Sequence, residues 1–149
     1  MKKTLLFVTV SVASLLTLIL TGCSKKDSSS PYTMKSLAGS YKLTSANISA
    51  AGQNFDWLAL MDDCEKDDIL TLTADSTFTY TDAGVTCTPD GSYTGKWYVS
   101  GNYLIQVDED NDKDTVTIKS FNGTNLVVTT SDEYMGTPAT LTSTLTSVR

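Results

Sequence analysis

Residues 93–107 read YTGKWYVSGNYLIQV, and this stretch decides the fold class. Its two halves, Tyr93–Val99 and Tyr103–Val107, are rich in the β-branched and aromatic residues that favour strands. Between them, Ser100-Gly101-Asn102 supplies a tight turn, because Gly and Asn both tolerate a positive φ. The stretch therefore predicts an antiparallel β-hairpin.

Six further runs alternate apolar residues with Thr, Ser and Lys, which is the period of two expected of strands with one buried face. In the first run, Tyr41, Leu43 and Ser45 share the predicted inner face. The same alternation places other aromatic side chains inward along later strands. The six runs are residues 39–47, 69–73, 77–81, 115–120, 125–130 and 139–145, and the inward aromatics are Tyr41, Phe78, Tyr80, Tyr93 and Trp97.

Eight short strands in sequence order, mostly joined by short turns, predict an up-and-down antiparallel meander. Such a sheet removes its exposed edges by closing on itself. The sequence therefore predicts an all-β, eight-stranded barrel formed by residues 37–149. The interior of a barrel of this size either fills with side chains or holds one small ligand, and the sequence leaves both open.

One segment departs from the strand pattern. Residues 55–61 read FDWLALM, with apolar residues at the three- and four-residue spacings of a helix. We predict a short helical turn across one end of the barrel, with Phe55, Leu58 and Met61 turned inward. It would act either as a lid over a cavity or as a hydrophobic plug that completes the core.

The N-terminus has the layout of a secretory signal, with Lys2 and Lys3 before an apolar run from residue 5 to residue 20. A membrane-spanning helix needs roughly 20 apolar residues, and this run falls short. It ends in Leu20-Thr21-Gly22-Cys23, which resembles the lipobox of bacterial lipoproteins. That resemblance implies that residues 1–22 are removed and that Cys23 carries the lipid.

A polar stretch follows, so residues 23–36 are predicted to be the lipidated cysteine and a flexible tether. Ser24 stands where an aspartate would favour retention at the inner membrane. The expected location is therefore the outer membrane, on a face that the sequence does not specify.

The net charge of the mature chain limits the kinds of partner that it can bind. Without Lys2 and Lys3 it has 9 basic and 17 acidic residues, a net charge of −8. Such a surface repels nucleic acid and anionic headgroups. The predicted partners are the membrane, through the N-terminal lipid, and either a small ligand or another envelope protein.

Two cysteines, Cys64 and Cys87, remain once Cys23 is lipidated, and an even pair in an oxidising compartment predicts a disulfide. It would close a loop of about 23 residues and contribute on the order of 3 kcal/mol. A metal or redox site is the alternative, but the chain has no CxxC spacing and no histidine.

The absence of histidine also excludes Ser-His-Asp triads, Cys-His dyads and histidine-bound zinc. The carboxylates cluster in predicted turns, such as residues 108–114, rather than in a cleft. That cluster fits a calcium loop poorly, because Lys113 occupies the glycine position. We therefore predict no enzymatic activity, no cofactor and no metal site.

Several motifs resemble the lipocalin-like domains of small bacterial lipoproteins over residues 37–130. The sequence LAGSYKL at residues 37–43 is similar to the family's opening G-x-W strand, with Tyr41 in place of Trp. The sequences CEKDDIL (64–70) and ADSTF (74–78), followed by Cys87, resemble its disulfide-bearing strands. GKWYVSGN at residues 95–102 resembles its central hairpin.

The resemblance implies a barrel that binds a small, apolar molecule at its open end. The implied ligand-lining candidates are the inward aromatics and two residues of the helical turn, namely Tyr41, Phe78, Tyr80, Tyr93, Trp97, Phe55 and Leu58. The alternative is a solid-cored barrel whose loops bind or inhibit another protein of the cell envelope. Interior volume would distinguish the two.

Overall fold

The computed structural model describes residues 30–134 and 136–148. The described chain is almost entirely β-structure, with two single-turn α-helices and a short 3-10 helix at Leu58–Leu60. The strands are β1 Gly39–Ala50, β2 Gln53–Asp56, β3 Ile69–Leu72, β4 Thr77–Thr81, β5 Tyr93–Ser100, β6 Tyr103–Val107, β7 Lys113–Phe121, β8 Asn125–Tyr134 and β9 Thr137–Val148, and the helices are α1 Met34–Leu37 and α2 Asp63–Lys66.

The sheet is antiparallel and closes on itself, because β1 pairs with β9 as well as with β3. Going round the barrel, the order is β1-β3-β4-β5-β6-β7-β8-β9, so the predicted eight-stranded meander is confirmed. β2 is an additional strand. β2 can pair with β1 because β3 covers only Gly39–Lys42 of that edge, which leaves Asn47–Ala50 free to pair with β2.

A β-bulge in β1 changes which side chains face inward. Leu43 pairs with Leu145 but Ser45 pairs with Thr144, so Thr44 is the extra residue. A bulge of this kind shifts the alternation of the bulged strand. Ala46, only 1% exposed, is therefore the inward residue. The prediction that Ser45 faces inward with Tyr41 is wrong for this reason.

One end of the barrel, which we call the closed end, contains α1 and the turns at residues 73–76, 100–102 and 122–124. Its interior is a cluster of fully buried side chains that includes Leu37, Tyr41, Phe78 and Trp97. The two polar atoms buried there are satisfied. The Tyr41 hydroxyl donates to the Leu37 carbonyl oxygen at 2.8 Å, and Trp97 Nε1 donates to the Thr73 carbonyl oxygen at 2.9 Å.

α1 belongs to this packing, although its first residues fall within the predicted tether. A capping box joins Thr33 and Ser36 and starts the helix. Tyr32 and Met34 pack against the core cluster. The barrel therefore begins its contacts before residue 37, and the end of the predicted tether covers the closed end.

The opposite end, which we call the mouth, contains the β1–β2 turn and β2, residues 57–68, the loops at 82–92 and 108–112, the first residues of β7, and the ends of β8 and β9 that meet at their shared turn. Here the helical turn predicted for residues 55–61 is formed only in part. Only Leu58–Leu60 is helical, and Phe55 lies in β2 with 52% of its surface exposed. The free edge of β1 explains this, because β2 satisfies its backbone hydrogen bonds.

Candidate functional site

The disulfide predicted from the sequence lies at the mouth. Cys64 in α2 is bonded to Cys87 in the loop at residues 82–92, with 5.2 Å between the two Cα atoms. This bond ties the segment before β3 to the loop after β4. It therefore fixes two of the segments that surround the mouth.

Two carboxylates, those of Asp82 and Asp67, hold the same loop by accepting hydrogen bonds from its backbone. The Asp82 carboxylate accepts hydrogen bonds from the backbone N–H groups of Cys87 at 2.9 Å and Gly91 at 3.1 Å. Asp67 Oδ2 accepts from the Val85 N–H at 2.9 Å. A loop held by two charge-assisted acceptors and a disulfide is a preformed rim rather than an unstructured connection.

A cleft of about 460 Å³ opens between α2 and this loop. The disulfide, Met61 and Pro89 form its apolar wall, and the side of the barrel contributes Tyr80 and Asp68. Ligand sites in proteins are typically concave, with an apolar lining and a few convergent polar groups. The cleft is more polar than this, because Glu65 and Asp68 also line it.

Asp68 is a buried carboxylate in the wall of the cleft, with 8% of its surface exposed. Burial, partly opposed by a hydrogen bond from the Ala83 N–H, raises the pKa of its carboxyl group, and the neighbouring Asp82 raises it further. The ion pair found among the described residues joins Lys66 and Asp63 at 3.1 Å. Within residues 30–134 and 136–148, Asp68 thus has no cationic partner.

Three aromatic rings connect the mouth to the core. Tyr80 stacks on Tyr93, with ring centroids 5.3 Å apart, and Tyr93 meets the edge of Phe78 at 5.7 Å. Burial and the nearby Asp68 raise the pKa of Tyr80 to about 12, and burial also raises the pKa of Tyr93. Both phenols therefore remain neutral hydrogen-bond donors at physiological pH.

The predicted ligand-lining residues separate into two groups. Tyr41, Phe78 and Trp97 are at most 2% exposed and fill the closed end. Tyr80 and Tyr93 reach the mouth, and Phe55 and Leu58 lie beside it. Contact of any of the seven with a ligand stays a prediction. Cys23, the predicted lipidation site, lies outside the described residues.

Beyond the barrel wall, four strands continue outward as a small sheet in the order β2-β1-β9-β8, which we call the lip. We define it as residues 46–56, 128–134 and 136–142. Side chains on directly paired residues share one face of a sheet. Phe55, Ile48, Leu141 and Thr130 form one such row, and Ala50, Ala139 and Asp132 form part of the next.

The two faces of the lip differ in chemistry. The face that carries Ile48 and Leu141 also carries Ala46, which is buried inside the barrel, so this face continues the inner wall. The opposite face is polar except at Pro138, with residues Asn47, Ser49, Asn54, Asp56, Thr129, Ser131, Glu133, Thr140 and Thr142. The lip is therefore an amphipathic sheet whose apolar face is the extension of the core.

A second cleft, of about 250 Å³, lies on the apolar face of the lip. Ile48, Ala139 and Leu141 line its apolar side, and Thr130, Asp132 and Glu133 line the remainder. The sequence reasoning missed this site. The available signal was the continued alternation of Ile48 and Ala50 after residue 47, followed by Phe55 three residues after Gly52 in the turn.

Acidic residues are concentrated at the mouth. Of the 17 acidic residues of the chain, 16 are in the described part, and Asp75 is the one of these at the closed end. The other 15 lie in the mouth segments, residues 53–68, 82–92, 108–114 and 130–140, where the lysines are Lys66 and Lys113. One end of the barrel therefore carries a strong negative field.

These carboxylates do not assemble into a recognisable metal site in the described chain, where no group of three or more potential ligands meets the geometry. In the loop at 108–112, the Asp108 carboxylate accepts from the backbone N–H groups of Asp110 and Asp112, both at 2.9 Å. Asp108 therefore folds the turn itself.

Among the described residues, no helix has the length and apolar character needed to cross a membrane. Comparison with known proteins gives one match. The family model for the lipocalin-like domain matches residues 37–128, which is more than half of the chain. Neither the curated proteins nor the solved structures contain a significant match.

Proposed function

We propose, because the chain belongs to the lipocalin-like domain family, that it is a lipid-anchored envelope protein that binds a small hydrophobic ligand at the mouth of its barrel. The fold supports ligand binding in general. Fold alone does not fix the ligand, so the class of ligand is argued from the site.

The observation that carries the proposal is the apolar face of the lip. The inner wall of the barrel continues past the rim through Ile48 and Leu141, and Phe55 is 52% exposed at the end of the same row. Exposed apolar surface in a concave setting is typical of a binding site. The filled closed end leaves the mouth as the place for a ligand.

The predicted lipid anchor at Cys23 is compatible with a ligand site at the mouth. The lipobox-like sequence ends at Cys23, and the described chain enters the barrel through α1 at the closed end. An anchor at Cys23 would thus attach the protein by its closed end and leave the mouth directed away from the membrane. We propose the outer membrane as the location, and no enzymatic activity.

Native mass spectrometry tests the ligand proposal directly. Residues 24–149, which include every described residue, are purified gently from the native host and measured before and after organic extraction. We expect a discrete adduct that extraction removes, and its mass gives the ligand. A bare protein that also takes up no added hydrophobic probe would refute ligand binding and point to a protein partner at the loops around residues 82–84 and 108–114.

The anchor is tested separately. The full chain and a Cys23→Ser variant are expressed in a host that makes lipoproteins, grown with a radiolabelled fatty acid. Labelling and membrane association of the full chain, both lost in Cys23→Ser, are expected. A variant that keeps its label would show that the lipid is attached elsewhere or that the band is a contaminant.

A further inference from the structure

We propose that the ligand of the mouth is an amphiphilic cation, with one apolar chain that lies on the lip and an amine head group held by carboxylates. This inference rests on the proposed ligand function and narrows it to one chemical class. It follows from two properties of the lip cleft, its apolar floor and its acidic side, together with the charge of the whole mouth.

The apolar floor sets the requirement for a hydrocarbon chain. Ile48 and Leu141 are directly paired across β1 and β9, and Ala139 pairs with Ala50 in the adjacent row. These side chains are only half-buried. A chain lying along them would remove apolar surface from water, at roughly 25 cal/mol per Å² buried.

The acidic side sets the sign of the head group. Asp132 and Glu133 both border the cleft that Leu141 lines. Asp132 pairs with Ala139 and shares the apolar face, whereas Glu133 pairs with Pro138 and borders the cleft from the edge of the opposite face. Within the described residues, neither carboxylate is paired with a lysine. A protonated amine at this position would gain charge-assisted hydrogen bonds, whereas a carboxylate or sulfate head group would meet like charge.

The negative charge of the whole mouth also favours a cationic ligand, and it acts over a longer range than the contacts in the cleft. Fifteen acidic residues and two lysines lie in its segments, and Asp68 is buried in its wall without a cationic partner in the described chain. A mouth lined by one sign of charge raises the local concentration of ligands of the opposite sign. Anionic amphiphiles such as fatty acids are therefore disfavoured before they reach the lip.

Three probes with the same hydrocarbon chain test the inference: dodecylammonium, whose head group is a protonated primary amine, dodecyl sulfate and dodecyl maltoside, each below its micelle concentration. Residues 24–149 are titrated with each by calorimetry. Trp57 fluorescence gives a second readout, because Trp57 is 41% exposed and its backbone N–H donates to the carbonyl oxygen of Ala46, a lip residue, at 2.8 Å. A Trp57→Phe variant, which keeps only the buried Trp97, supplies the background signal.

We expect the cation to bind about tenfold more tightly than the maltoside, a difference of about 1.4 kcal/mol. The sulfate should bind weakest. The advantage of the cation should shrink as salt is raised from low to physiological concentration, because salt screens exposed charges.

Matched variants separate the two halves of the site. Asp132→Asn combined with Glu133→Gln should bring the cation close to the affinity of the maltoside, whereas Asp75→Asn at the closed end should change nothing. Leu141→Ser should weaken all three probes. Thr142→Ser, on the polar face of the same strand, is its control.

The outcomes distinguish this inference from the function on which it rests. Equal affinity for all three probes would overturn the preference for cations and leave ligand binding intact. No binding by any probe would remove both. Dimerisation in sedimentation velocity that Leu141→Ser abolishes would show that a second copy of the chain covers the lip, and would also overturn the inference.

Discussion

The closed end and the mouth of this barrel are built from the same eight strands but have opposite chemistry. At the closed end, Trp97, Tyr41 and Phe78 are at most 2% exposed and every polar atom named there has a partner. At the mouth, carboxylates dominate and Phe55, Trp57 and Leu60 are 41–70% exposed. The contrast indicates that the closed end supplies stability and that the mouth is available for binding.

The largest expected effect is at the centre of the closed end. Trp97→Ala should destabilise the fold by about 3–5 kcal/mol, because it leaves a cavity and removes the hydrogen bond to Thr73. Trp57→Ala at the mouth should cost less than about 1 kcal/mol. Urea unfolding of both variants measures the difference. Equal losses would mean that the mouth is part of the same packed core.

Removing the disulfide is expected to give the next largest loss of stability, and its local effect should be confined to the mouth. Cys64→Ser with Cys87→Ser should lower the free energy of unfolding by about 3 kcal/mol, because the unfolded chain regains the freedom of a loop spanning 23 residues. Hydrogen exchange should accelerate in residues 82–92. An acceleration around Trp97 larger than the loss of global stability accounts for would contradict the division into two regions.

A smaller loss is expected from a single buried hydrogen bond at the closed end. Tyr41→Phe leaves the ring in place but removes the donor to the Leu37 carbonyl oxygen, at a cost of about 1 kcal/mol. Lys42→Ala, one residue further along the strand on its outer face, is the control. A Tyr41→Phe variant as stable as the parent protein would show that water replaces the hydroxyl, and that this end is less dry than its burial suggests.

Replacement of Asp68 is expected to have the smallest effect on stability, and that effect depends on pH. Its carboxyl pKa is raised above the unfolded value of about 3.9, mainly by burial, so ionisation of Asp68 disfavours the folded state. The stability associated with its protonated form is present below that unfolded value and is lost as pH rises through the folded pKa. Asp68→Asn should therefore be slightly more stable than the parent protein at pH 7.

That advantage should disappear in acid, where Asp68 is protonated in both states. Urea midpoints of the two proteins at pH 7 and near pH 3 measure it. A variant that is less stable than the parent at pH 7 would mean that the charged carboxylate is stabilised in the mouth, for example by a bound cation.

Much of the fold could be predicted because its signals are local. The alternation of apolar and polar residues identified the eight barrel strands, and the turn at Ser100-Gly101-Asn102 fixed one hairpin. The disulfide was predictable because only Cys64 and Cys87 remain after Cys23. The predictions from the sequence failed at two places. The bulge at Thr44 turned Ser45 outward, and Phe55 paired in β2 instead of forming a helix.

The sequence by itself determined the class of fold, because the period of two and the composition of turns act between near neighbours. It also determined the cysteine pair, because Cys64 and Cys87 are the two cysteines besides Cys23. Tertiary structure alone decided the lip and the acidic mouth. β2, β1, β9 and β8 come from distant parts of the chain, and the acids are spread over residues 53–140. Only closure of the barrel brings them to one end, since loops alternate between the two ends of an up-and-down sheet.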